Sequence, residues 1–143
     1  MPPHIPIRVF LLSSTRLLTE ALDRVLRKTA DILVVKARQY SVDAPVEIIE
    51  STCDVLLTDS VSMLALDSQI ADDLRCSLSQ LKVVMIEWDD DESTSSKLQR
   101  LRVTRNVSKE AAVADVISAI RSVAKGVVVK PALILYDAVP KRG

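Results

Sequence analysis

Four short runs of branched apolar residues set the limits on what this chain folds into: Ile7-Arg-Val-Phe-Leu-Leu12, Asp31-Ile-Leu-Val-Val-Lys36, Asp54-Val-Leu-Leu-Thr58 and Lys82-Val-Val-Met-Ile-Glu87. Each is bounded by polar residues, and each reads as a strand covered on both faces. Between the first two runs, Leu17, Leu18, Ala21, Leu22, Val25 and Leu26 recur at helical spacing, with Ser14 or Thr15 available as the N-cap. Leu66, Ile70, Leu74 and Leu78 step by four between the third and fourth runs. Val113, Val116, Ile117, Ile120 and Ala124 make a last stripe, closed by Gly126. The segments 43–51 and 92–101 are weaker helices, because Pro45 interrupts the first and the second buries little beyond Leu98 and Leu101. A fifth strand over 104–108 is read mostly from its position.

Strands alternating with helices predict parallel strands joined by right-handed crossovers, hence a doubly wound, three-layer α/β domain with helices on both faces of the sheet. In such folds the functional crevice lies outside the carboxyl ends of the strands. Ser13 and Ser14 follow the first strand, Asp59 ends the third, Glu87 ends the fourth and Lys109 follows the fifth, so all five belong at one rim. A carboxylate is tolerable there because the strand has just left the core. Trp88 is the aromatic beside this rim, either as a lid or as a partner contact.

Composition excludes much else. At 143 residues with 48% apolar content, one core is expected. Nineteen basic and nineteen acidic residues cancel, so no net field draws the chain to nucleic acid or an anionic membrane. Cys53 and Cys76 lie far apart in sequence and read as reduced small hydrophobes. The single histidine, His4, lies in the N-terminal tail, and Gly126 and Gly143 are the only glycines. Histidine-dependent triads, His-rich metal sites and phosphate-cradling glycine loops are therefore unsupported, and an enzyme is not expected. No apolar run approaches the roughly 20 residues of a membrane span, and Met1-Pro2-Pro3-His4 has no signal-peptide character, so a cytoplasmic location is expected.

Taken with their spacing, the runs Ile7-Arg-Val-Phe-Leu-Leu, Arg16-Leu-Leu-Thr-Glu-Ala-Leu, Asp31-Ile-Leu-Val-Val, Asp54-Val-Leu-Leu-Thr-Asp59, Lys82-Val-Val-Met-Ile and Ala119-Ile-Arg-Ser-Val-Ala-Lys-Gly126 resemble the receiver domain of two-component response regulators, in its NarL-type branch. The resemblance runs from about Ile7 to Gly126 without insertion or deletion. It implies a CheY-like, flavodoxin-like sheet of order 2-1-3-4-5, with a receiver-like domain over 1–126. Residues 127–143 fall where that branch passes into a linker and a helix-turn-helix output domain, which is not in this chain.

The same resemblance assigns roles along the rim. Asp59 holds the phosphoacceptor position and Lys109 that of the family's lysine, with Arg105 the alternative. The acidic pair that binds Mg²⁺ is replaced by Ser13 and Ser14, the Thr or Ser after the fourth strand by Glu87, and the switch aromatic by Asn106. A hydroxyl is a poor substitute for carboxylate toward a hard dication. Mg²⁺ binding is expected to be lost or weak, and no other cofactor is expected. A unit negative charge on Glu87 about 4 Å from a phosphoryl oxygen costs on the order of 4 kcal/mol at an effective dielectric of 20. The chain is thus expected to be a pseudo-receiver, a phosphorylation-independent signalling and dimerisation module in transcriptional regulation. Lys109 would pair there with Asp59 and Glu87. The alternative is a working phosphoacceptor in a phosphorelay, using Asp59. Expected partners are a second copy, through the helix at 92–101, the strand at 104–108 and the last helix or through the tail, and a histidine kinase or other protein. DNA would be reached only through an output domain.

Overall fold

A computed structural model describes residues 5–65, 68–87, 103–108 and 110–125. Five parallel strands, β1 (Ile7–Ser13), β2 (Ile32–Gln39), β3 (Val55–Asp59), β4 (Lys82–Glu87) and β5 (Arg105–Ser108), form one sheet of order β2-β1-β3-β4-β5. The described helices are α1 (Arg16–Arg27), α2 (Ala44–Ser51), α3 (Ser60–Ala65), α4 (Ser68–Ser77) and α5 (Val113–Ala124). None is long and apolar enough to cross a membrane.

Strand residues alternate between two apolar layers, as the two-residue repeat of a strand requires. On one face Val9, Leu11, Val55, Leu57, Val84 and Ile86 pack with Leu22 and Leu26 of α1 and Ile120 of α5. On the other, Phe10, Leu12, Leu56, Val83 and Met85 pack with Ile48 of α2 and Leu74 of α4. Each fully buried side chain of this size contributes about 1.5–3 kcal/mol relative to exposure, so the sheet is fixed from both sides. The strand predictions hold to within a residue, except that β2 runs on to Gln39. It carries a register slip where Val9 pairs with Val34 but Phe10 with Lys36. Such a bulge is a common way to blunt an edge strand.

The helices depart further from the sequence reading. Pro45 does not interrupt α2; it lies in the first turn, where its missing N–H would find no helical partner anyway. Within the helix expected from Leu66 to Leu78 the described residues form α4, and a shorter helix not expected from the sequence, α3, comes before it directly after β3. Leu17 and Ala21, both placed on the apolar stripe of α1, are exposed, Leu17 to 81%, because the buried line is Thr19, Leu22 and Leu26, with Leu18 and Val25 half-buried beside it. In α5 the buried positions are Val116, Ala119, Ile120 and Val123, whereas Val113 and Ala124 face outward. Thr52 ends α2 in the left-handed region at φ 48°, and the Arg8 guanidinium donates to the Ser51 carbonyl oxygen at 2.8 Å. The helix at 92–101, Trp88, Gly126 and the tail 127–143 lie outside the described residues.

Candidate functional site

The parallel sheet brings the ends of β1 and β3 together at one rim, and the sequence places a charge there. Asp59, the last residue of β3, is fully buried, as are Thr58 before it and Ser60 and Ser62 after it. A buried carboxylate is costly unless its lone pairs are met. Here three donors from the end of β1 and the residue after it meet one oxygen: the Ser14 amide at 2.8 Å, the Ser14 hydroxyl at 2.8 Å and the Ser13 hydroxyl at 3.1 Å, all to Oδ2. The other oxygen, Oδ1, accepts from the Ser62 amide at 2.8 Å. That last bond has the geometry of a helix cap, with Asp59 before the first residue of α3 and Ser62 at its third position. The carboxylate at the end of a buried strand therefore serves the start of the next helix.

Burial is the largest single influence on Asp59 and pushes its pKa up. The amides of Ser14 and Ser62 and the Ser14 hydroxyl together outweigh it, holding the carboxyl below its ordinary value and ionised at neutral pH. The Ser62 hydroxyl lies near enough to favour the ionised form, but it does not reach hydrogen-bond geometry. With Thr58 Oγ1 it is one of the buried side-chain oxygens without a hydrogen bond among the described residues.

The N-cap of α1 is Thr15, whose hydroxyl accepts from the Leu18 amide at 3.2 Å. Ser14, the other candidate for that role, is committed to Asp59. Ser13 carries one hydroxyl proton with two acceptors in reach, Asp59 Oδ2 and the Thr15 carbonyl at 3.2 Å, and the charged acceptor is the stronger. Glu87 closes β4 opposite Ser108, so its backbone lies at this rim. Lys109 lies outside the described residues, and with it the expected pairing to Asp59. Arg105 opens β5 opposite Val84, three residues short of Glu87 and hence low on the sheet, which removes it as an alternative to Lys109. Asn106 is exposed opposite Met85. Sequence reasoning missed Ser62, although its spacing from Asp59, an acidic residue three before it at the start of a helix, is a capping signal.

Mg²⁺ takes near-octahedral oxygen ligands, commonly including one or two carboxylates. Asp59 Oδ2 instead receives three hydrogen-bond donors, whose positive ends occupy the side a cation would approach. Among the described residues, no group of three or more His, Cys, Asp or Glu side chains is placed to hold a metal ion. The described donor set does not fit a divalent cation in this arrangement.

No family model matches the sequence, and no curated protein does. Solved structures do. The signal receiver domain of the response regulator NarL from Mycobacterium tuberculosis superposes with a TM-score of 0.70 at 22% identity, over 85% of this chain and 98% of that one. The isolated receiver domain of RcsB from Salmonella enterica serovar Typhimurium, solved with the phosphomimetic BeF3⁻, gives 0.66 at 16% identity over 85% and 90%. A DNA-binding response regulator of the LuxR family from Staphylococcus aureus gives 0.67 at 15% over 82% and 98%. The sheet order β2-β1-β3-β4-β5 found here agrees with these likenesses. The chain has the fold of the response-regulator receiver domains.

Proposed function

We propose that this chain is an atypical receiver domain of a response regulator, a cytoplasmic interaction and dimerisation module in transcriptional regulation that works without phosphorylation. The observation that carries the reading is the Asp59 carboxylate, met on both oxygens by Ser13, Ser14 and Ser62. A phosphoacceptor needs a free carboxylate oxygen for in-line attack and a cation to neutralise the incoming group. In this arrangement Asp59 is buried with three donors on Oδ2 and one on Oδ1, and breaking three bonds to free Oδ2 would add to the barrier. Serine at positions 13 and 14 thus closes the site around its own aspartate. The receiver fold is left as a folded surface for protein contacts. Structural neighbours that are LuxR-family response regulators, one of them described as DNA-binding, support a place in transcription control, with DNA reached through an output domain.

The test is a titration of the folded chain with Mg²⁺ and then beryllofluoride, followed by the emission of its single tryptophan, Trp88, next in sequence to Glu87. The proposal expects a flat response. Saturable quenching that disappears in Asp59→Asn would overturn it in favour of a phosphorelay receiver. Sedimentation of the same chain tests the second half of the reading, and a single monomeric state up to high micromolar concentration would contradict it.

A further inference from the structure

Asp59 is one corner of a closed circuit of hydrogen bonds. Ser13 donates its hydroxyl to Asp59, Asp59 accepts the Ser62 amide inside α3, and α3 runs on to Ala65. There the Ala65 carbonyl oxygen accepts the Tyr40 hydroxyl at 3.3 Å. The Tyr40 amide in turn donates to the Ser13 carbonyl oxygen at 3.0 Å, which closes the circuit on the residue where it began. The circuit ties the ends of β1, β2 and β3 to both ends of α3. The Tyr40 ring packs half-buried against the core layer of Phe10, Leu12 and Ile48, so its hydroxyl is aimed by packing rather than by chance.

The links are unequal. Asp59 receives charge-assisted bonds of 2.8–3.1 Å in a buried setting. The Tyr40 bond is neutral, exposed and long for an O–H···O contact. We propose that Tyr40 is the latch of this circuit: it fixes the far end of α3, and opening that latch loosens the donors around Asp59 on the other side. Tyr40 is then a positioning residue, and α3 is the element through which the rim and the surface beyond it sense one another. The circuit does not depend on whether Asp59 ever carries a phosphoryl group.

Tyr40→Phe keeps the ring and removes only the hydroxyl. Amide hydrogen exchange on the full chain, resolved residue by residue by NMR, should show Ser14 and Ser62 exchanging about three- to tenfold faster in this variant, the range expected for loss of one neutral hydrogen bond. Amides of Leu56, Leu57 and Ile120 should be unchanged. In the reverse direction Asp59→Asn should speed exchange of the Tyr40 amide, because coupling between two sites is reciprocal. Faster exchange confined to Ala65 and its immediate neighbours, or no change, would overturn the latch. Uniform acceleration across Leu56, Leu57 and Ile120 would overturn it too, since it would mean that the hydroxyl serves global stability and not the circuit.

Discussion

Two aspartates at opposite ends of the sheet are held in their ionised forms by different physics. Asp59, at the carboxyl rim, is buried and met by neutral donors from Ser13, Ser14 and Ser62. Asp31, just before β2 at the other end, is half-exposed and gripped by the Arg121 guanidinium at 2.8 and 2.9 Å. Both carboxyls lie below their ordinary pKa, Asp31 chiefly through the Arg121 hydrogen bond and Asp59 through amides and a hydroxyl that outweigh burial. Surface ion pairs are screened and contribute little, whereas a buried charge with several donors cannot be altered cheaply. Charge at the exposed end is decoration on the fold; at the rim it is part of the frame.

Asp59→Ala should have the largest effect. It strands the Ser14 and Ser62 amides in a buried setting, and loss of about 3 kcal/mol in urea unfolding is expected. Asp59→Asn retains one acceptor oxygen and should cost roughly half as much.

The same contrast is visible in acid. A carboxyl with a depressed folded pKa binds fewer protons when folded than unfolded, so it adds stability above the unfolded value of about 3.9. That stability is lost as pH falls through the lower folded value. Unfolding midpoints followed from about pH 6 to pH 2 should fall for the parent chain and fall less steeply for Asp59→Asn. Added 1 M NaCl should leave that difference nearly intact, since buried groups escape screening.

Thr15→Ala, which removes the α1 cap beside the rim, should cost about 1 kcal/mol by the same urea measurement. Thr58→Val replaces a buried hydroxyl that has no hydrogen-bond partner among the described residues by a methyl of the same shape and should be neutral or stabilising by up to about 1 kcal/mol. A clear loss would mean that the hydroxyl has work at the rim. Arg121→Ala should move the midpoint least and lose even that small effect in high salt, and a larger shift would break the comparison between the two ends.

The sheet was legible because its signal is redundant. Phe10, Leu56 and Met85 each have apolar residues on both sides in the chain, and only burial on both faces suits such runs. The receiver resemblance rested on the same runs, and the strand order followed. What was misread depended on single residues whose neighbours decide their role. Pro45 reads as a breaker unless the helix is known to begin at Ala44. Leu17 shares a spacing with buried leucines yet lies one step round the helix from the packed line. Ser14 and Thr15 are equal N-cap candidates until Asp59, which lies 45 positions beyond Ser14, claims one of them. The convergence of Ser13, Ser14 and Asp59 on one rim was foreseen from topology, but the direction of the serine hydroxyls was not. Tyr40 carried no local signal, because its partners Ser13 and Ala65 meet it only in the fold.

The most direct test of the central claim, that the serines close the Asp59 site to phosphate chemistry, is intact-mass measurement of the chain incubated with acetyl phosphate and Mg²⁺. The account predicts no added phosphoryl mass over times that fully label an ordinary receiver. A phosphoryl adduct that forms at a comparable rate and is absent in Asp59→Asn would contradict it.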